Sequence, residues 1–201
     1  ISPLHVWKSE DWGQSWKPTL TLNSSPRYGI GECRHFHTCF ADPEKKGRWY
    51  VSTGDIKKDN ALYMTENNGK DWVKCEIQSV TPGNITPKPY IYNLLRFTSC
   101  YFDGNYIIYP TDDRVAFGSS CLIKIDKQKL PKIHIEIEHF FNGNLMRTAI
   151  RDNLLKRTLF ISEAKHELDG SNIYLETDKK KILGVAYLEH YSKRLCGVSL
   201  S

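Results

Sequence analysis

The sequence has few helix signals. Short strand-like runs replace them, broken by turn clusters at Asp42-Pro43, Asn67-Asn68-Gly69, Asp103-Gly104-Asn105 and Asn142-Gly143-Asn144. No apolar stretch approaches the ~18 residues of a membrane span, so a membrane is not an expected partner. The first residues lack the charged and apolar regions of a secretion signal, which a processed or truncated chain would also lack, so the compartment stays open. The six cysteines, Cys33, Cys39, Cys75, Cys100, Cys121 and Cys196, contain no CxxC pair. Zinc-ribbon and thioredoxin readings therefore fall away, and reduced, buried thiols are expected over a disulfide framework. No glycine-rich phosphate loop and no GxSxG elbow is present. There is also no run of five basic residues, and the net charge of +5 is scattered, which argues against a nucleic-acid partner.

What is present is ordinary in bulk. Hydrophobic residues make up 40% and charged residues 25% of 201 residues, which excludes global disorder and allows a real core. Aromatics at 12% suit a β-protein. Many short strands at even spacing leave a sandwich, a barrel or a propeller, and an internal repeat decides among them.

Ser9-Glu10-Asp11-Trp12-Gly13-Gln14-Ser15-Trp16 and Thr65-Glu66-Asn67-Asn68-Gly69-Lys70-Asp71-Trp72 share the pattern [ST]-x-[DN]-x-G-x-x-W, 56 residues apart, each after a strand-like run. A short Asp or Asn side chain can bind turn N–H groups. The Gly allows positive φ, and the Trp is expected to fold back as a buried plug. The pattern is a folding device before it is a catalytic one. It resembles the Asp box (BNR repeat) of sialidases and related β-propellers, which joins the third and fourth strands of a blade.

A second repeat supports this. Residues 40–52 and 150–162 align without a gap at an offset of 110, and Tyr101-Phe102-Asp103-Gly104 gives a shorter version between them. Asp42, Asp103 and Asp152 are thus expected to mark equivalent hairpins. The turns at Asp126-Lys127 and Asp178-Lys179 keep the acid but lose the Gly and Trp, and read as degenerate boxes. The expected fold is all-β, a β-propeller of four-stranded antiparallel blades. Residues 1–201 form one propeller domain or fragment, with a half-blade at 4–22 and blades near 33–80, 93–140 and 144–191. Propellers close with about 4 to 8 blades, so three and a half leave the ring incomplete. The chain then reads as a fragment, as one lacking internal segments, or as one completed by self-association.

In such a blade the start of the first strand and the end of the second share a rim. That rim collects Arg34, His35, His37, Arg96 and Arg147 from strand starts. It collects Asp55, Asp112, Asp113, Arg114 and Glu163 from strand ends, with Thr53-Gly54-Asp55 aligned on Thr111-Asp112-Asp113. Tyr28, Tyr90 and Tyr92 lie in the entering loops. Guanidinium groups grip carboxylates with paired hydrogen bonds, so Arg34, Arg96, Arg114 and Arg147 are expected to bind an acidic oligo- or polysaccharide. His35, His37, Asp55 and Asp113 are the candidate catalytic groups.

Sialidases place three arginines on a carboxylate and use a Tyr–Glu pair. Arg34, Arg96 and Arg147 are not at equivalent repeat positions and no Tyr–Glu match exists, so no sialidase catalytic residue is carried over. Some propeller lyases use His, Tyr and Arg for β-elimination beside a uronate, and the similarity here is of residue types. The expected function is a carbohydrate-active propeller, glycoside hydrolase or polysaccharide lyase. The alternative is a non-catalytic glycan- or protein-binding scaffold. No cofactor is implied. No metal is expected either: His35 and His37 lack a third ligand nearby, and His134, Glu136, Glu138 and His139 alternate with isoleucines as a half-exposed strand.

Overall fold

The structure is a computed structural model that describes residues 3–24, 33–54, 59–81, 94–112, 120–141, 145–152, 154, 157–163, 171–176 and 182–188. Its strands are β1 (Pro3–Lys8), β2 (Lys17–Asn23), β3 (Phe36–Ala41), β4 (Trp49–Thr53), β5 (Ala61–Thr65), β6 (Val73–Lys74), β7 (Glu76–Thr81), β8 (Tyr101–Asp103), β9 (Tyr106–Pro110), β10 (Ser120–Asp126), β11 (Lys132–Phe141), β12 (Leu145–Asp152), β13 (Arg157–Glu163), β14 (Ser171–Glu176) and β15 (Ile182–Leu188). The only helical element among the described residues is a 3-10 turn at Lys127–Lys129. The fold is all-β, made of antiparallel sheets, and among the described residues none of them closes on itself.

Two sheets run in simple sequence order, β3-β4-β5-β6 and β12-β13-β14-β15. A third has the order β7-β11-β10-β9-β8, and β1-β2 form a two-stranded ribbon. Contacts divide the chain into two units, Ile1–Arg96 with Asp126–Ile135 and Phe97–Ile125 with Glu136–Ser201. In the first unit Leu20 and Leu22 of β2 bury against Cys33, Val51, Ala61 and Tyr63, with Leu4, Val6, Phe36 and Trp72 packed around them. In the second, Tyr101, Ile108, Leu122 and Phe160 form the core and Ala149 packs on it. The alternation along β11 holds, with Ile133, Ile135 and Ile137 inward and His134 and Glu136 outward.

The hairpins turn where the repeat places them. The carboxylate of Asp42 accepts the N–H of Glu44 at 3.0 Å and that of Asp152 accepts Leu154 N–H at 2.9 Å. Both are Asx turns, in which a short acid side chain replaces a backbone acceptor. Asp103 and Gly104 (φ 53°) reverse β8 into β9.

The two eight-residue repeats fold alike. Asp11 Oδ1 accepts the N–H of Ser15 at 2.8 Å, and Asn67 Oδ1 accepts that of Asp71 at 2.9 Å. Ser9 Oγ accepts Gly13 N–H at 2.7 Å, and Thr65 Oγ1 accepts Gly69 N–H at 3.1 Å. Trp12 and Asn68 both have φ of 60°, followed by glycines at 88° and 83°. A Cβ on Gly69 would also strike the Thr19 hydroxyl.

The tryptophans differ from expectation. Trp72 is half-buried and donates Nε1 to Thr19 at 3.3 Å, whereas Trp16 is 58% exposed and donates to Gly13 O of its own turn at 3.1 Å. Trp72 has β2 to pack against; Trp16 has no strand laid over it among the described residues.

Hydrogen bonds from the Ser15 hydroxyl, the Ser15 N–H and the Ser9 hydroxyl hold the Asp11 carboxyl down at about 2. This value lies below the ordinary Asp range, so the carboxylate's contribution to the turn is complete above about pH 4 and is lost as pH falls through about 2. The Asp11 carboxyl carbon should titrate near pH 2 by NMR, and Asp11→Asn should keep the turn without the titration, as Asn67 does in the second copy. A midpoint near pH 4 would mean that the turn does not grip this carboxylate.

Candidate functional site

The rim segment begins at Cys33. Its thiol is buried, its N–H donates to Asn23 O at 3.3 Å, and its Sγ donates to His35 O at 3.0 Å. Cys33 therefore ties the entry of β3 to the end of β2. Beyond it Arg34 and His35 are exposed, Phe36 packs on the core, and His37 is half-buried.

Regular alternation stops here. Phe36 pairs with Thr53 but Thr38 pairs with Ser52, so His37 is the extra residue of a β-bulge. The rings of His35 and His37 stack with centroids 4.8 Å apart and planes inclined by 16°. Bulges re-aim side chains and are frequent beside functional sites. The same irregularity recurs in β12, where Met146 pairs with Ser162 and Thr148 with Ile161, leaving Arg147 as the extra residue. The two bulges are 110 residues apart, the offset of the sequence repeat.

The aligned threonines also have matching roles. Thr53 Oγ1 accepts Ala61 N–H at 3.1 Å and Thr111 Oγ1 accepts Cys121 N–H at 2.8 Å. Each buried hydroxyl ties the end of a second strand to the start of the third. This explains the threonine of the T-[GD]-D pattern without catalysis.

The structure brings His35 and His37 together and sets Arg34 beside them in the chain. Arg96 is half-buried between Leu95 and Phe97, and Asp112 is buried. Asp55, Asp113, Arg114, Tyr28, Tyr90 and Tyr92 lie outside the described residues, as does the side chain of Arg147.

Two of the described thiols are poor nucleophiles. Burial pushes Cys75 and Cys100 up to about 12, where a thiol stays protonated at neutral pH. Cys39 is exposed on β3, against the expectation that the thiols are buried, and it shares its strand face with the equally exposed Ala41.

Sequence reasoning did not find the bulges: its ungapped alignment covers 40–52 and 150–162, and only its extension by three residues sets His37 opposite Arg147. It also passed over the exposed tryptophans. All five tryptophans fall within residues 7–72, and that clustering was the available signal.

No known family model matches the sequence, and no curated protein matches it. Among solved structures, the GH74 enzyme of Niastella koreensis is similar with a TM-score of 0.37 and 10% identity, over 74% of this chain and 29% of that chain. The chain thus spans under a third of that enzyme's length.

Proposed function

We propose that the chain is part of a carbohydrate-active propeller that engages an acidic glycan where β3 begins, and that its two repeated turns are Asp boxes. The observation that carries this reading is the stacked His35–His37 pair, set by a bulge beside the exposed Arg34. Arg34, next to the pair in the chain, would grip the sugar carboxylate with paired hydrogen bonds, with Arg96 of the same unit as its second cation. In the lyase form, a neutral imidazole of His35 or His37 takes the proton beside that carboxylate. The glycosidic C–O bond then breaks, its electron pair leaves on oxygen, which gains a proton, and a C=C bond remains in the ring. In the hydrolase form a pair of carboxyl groups supplies the acid and base, and water enters instead. The exposure of Arg34 and His35 favours a second reading, a binder without turnover, since open sites stabilise reacting charge poorly.

The experiment is a titration and turnover assay with tetragalacturonate and sialyllactose. Saturable binding is expected. His35→Ala and His37→Ala should abolish turnover, by about a hundredfold or more. Arg34→Ala and Arg96→Ala should mainly weaken binding. Binding without new reducing ends or unsaturated uronate selects the second reading, and no saturable binding of either glycan refutes both.

A further inference from the structure

The two repeated turns meet away from the rim. Along β3, β4 and β5, Phe36, Thr53 and Ala61 pair at the end nearest His35 and His37, and Ala41, Trp49 and Thr65 pair at the other. The second turn follows Thr65, and the first ribbon docks on it. Lys8 Nζ donates to Asn68 O at 2.7 Å, the Thr19 hydroxyl donates to Gly69 O, and Trp72 Nε1 donates to Thr19 at 3.3 Å. Beside these bonds lies a pocket of about 240 Å³, within the first unit. Its charged lining residues are Lys8, Glu10, Lys17 and Lys70, three cations against one anion, a net charge of +2.

Glu10 takes up only one of the three cations. Lys8 Nζ lies 2.5 Å from Glu10 Oε1. Lys17 and Lys70 are exposed and make no hydrogen bond or ion pair among the described residues. Their charges still reach Glu10. Its carboxyl is held below the ordinary glutamate value by Lys8 first, through a hydrogen bond and direct charge, and then by Lys17 and Lys70 through space. The nearby acids do not line the pocket. Asp11 accepts from Ser15 of its own turn, and Asp71 Oδ2 accepts from Asn67 Nδ2 at 2.7 Å.

The turns do not need these lysines. At the offset of 56, Lys8 stands where the second copy has Met64, Lys17 where it has Val73, and Lys70 where the first copy has Gln14. Both turns close alike with these different residues. The cations are therefore an addition to the folding device. Like charges gathered on one pocket repel each other, and an anionic ligand relieves that repulsion.

We infer that this pocket binds a phosphate monoester carried by a small hydroxyl-bearing molecule, a sugar phosphate being the simplest. Ammonium groups act as point charges and suit a tetrahedral oxyanion. A planar carboxylate is better matched by guanidinium, and no arginine lines the pocket. A phosphate monoester carries about −1.5 to −2 at neutral pH, which matches the lining, whereas a sulfate ester or a phosphodiester carries a single charge and leaves a cation unmatched. The volume is below the roughly 300 Å³ at which sites for whole drug-sized ligands begin, so the pocket takes a charged group and its neighbouring hydroxyl. The second Glu10 oxygen accepts that hydroxyl. A phosphopeptide has none beside its phosphate. The inference is independent of the acidic-glycan reading, because none of these residues belongs to the rim.

The test is a titration of the chain with glucose 6-phosphate, followed by the N–H signals of Ser15, Gly69 and Lys70 in NMR. Glucose 6-sulfate and a phosphoserine peptide are the comparisons. Glucose 6-phosphate should saturate, move those signals and bind more tightly than the sulfate ester. Its affinity should rise between about pH 5 and 7, as the second phosphate proton leaves near about pH 6, and that of the sulfate ester should not. No histidine lines the pocket, and lysine and glutamate side chains ordinarily titrate outside that window, so the rise belongs to the ligand. Lys17→Gln and Lys70→Gln should each weaken binding about threefold to fivefold, as for other exposed charges. Lys46→Gln, exposed in the β3–β4 turn and outside the pocket, should leave it unchanged. The inference is overturned if glucose 6-phosphate does not saturate or leaves those signals in place, if the sulfate ester binds as tightly, or if Lys46→Gln weakens binding as much as Lys17→Gln. Tighter binding of the phosphoserine peptide, or of vesicles carrying phosphatidylinositol 4-phosphate, also overturns it, since the pocket would then serve a protein or a membrane.

Discussion

Lys127→Ala will lower the stability of the fold by about 3–5 kcal/mol, the usual cost of removing one partner of a buried ion pair. Lys127 is 4% exposed and the Asp42 side chain 1%. Its ammonium lies 3.1 Å from Asp42 Oδ1 and 2.9 Å from Glu44 Oε2. Asp42 also accepts from Tyr50 OH at 3.1 Å, and Arg48 stands 3.7 Å away. Burial by itself would raise the Asp42 carboxyl, but the Glu44 N–H, Lys127 and Tyr50 bonds outweigh it and hold it below the ordinary value.

Without Lys127 a carboxylate remains buried with two neutral donors and the looser Arg48 ion pair at 3.7 Å. The double change Lys127→Met with Asp42→Leu should recover much of the loss, because neither charge is then stranded. Urea midpoints with an unchanged slope would measure both effects. A single-variant loss below about 1 kcal/mol would mean that Arg48 moves in to replace the lysine. Since the Asp42 value is depressed, its contribution is complete above about pH 4 and fades below.

The two repeat tryptophans should part company in the same assay. Trp72→Ala should cost about 2–3 kcal/mol, somewhat under the 3–5 of a fully buried aromatic, because Trp72 is half-buried on the Leu20–Leu22 core and bonded to Thr19. Trp16→Ala should cost about 0.5–1 kcal/mol, since its ring is mostly in water and only its own turn loses a bond. Equal losses would show that the tryptophan acts within the turn itself rather than through a neighbouring strand.

These contrasts separate what was legible in the sequence from what was not. Turns are local. Asp11, Asn67, Asp42 and Asp152 bind N–H groups two to four residues on, so their chemistry could be read without the fold. Burial depends on what arrives from elsewhere. Trp16 and Trp72 have the same local pattern, but only Trp72 meets β2. Lys127 read as an ordinary residue of a degenerate turn, and it is buried because Asp42, 85 residues earlier, needs a cation. The strand β7 shows the same limit. Spacing groups it with β3 to β6, but it pairs with β11. At the rim, residue types identified His35 and His37, whereas their stacking comes from a bulge that no residue type announces.

The reach of the Lys127–Asp42 pair also sets an order in time. A ribosome adding about 5–20 residues per second separates these two residues, 85 apart, by about 4–17 seconds. A β-hairpin forms in about 1–10 microseconds, so β3 and β4 can pair long before Lys127 exists. Through that interval Asp42 must stay hydrated or share Arg48, and the hairpin turn is closed late, by a residue from far downstream. Stalling translation just before residue 127 should therefore leave the nascent β3–β4 turn open to proteases that the finished chain resists.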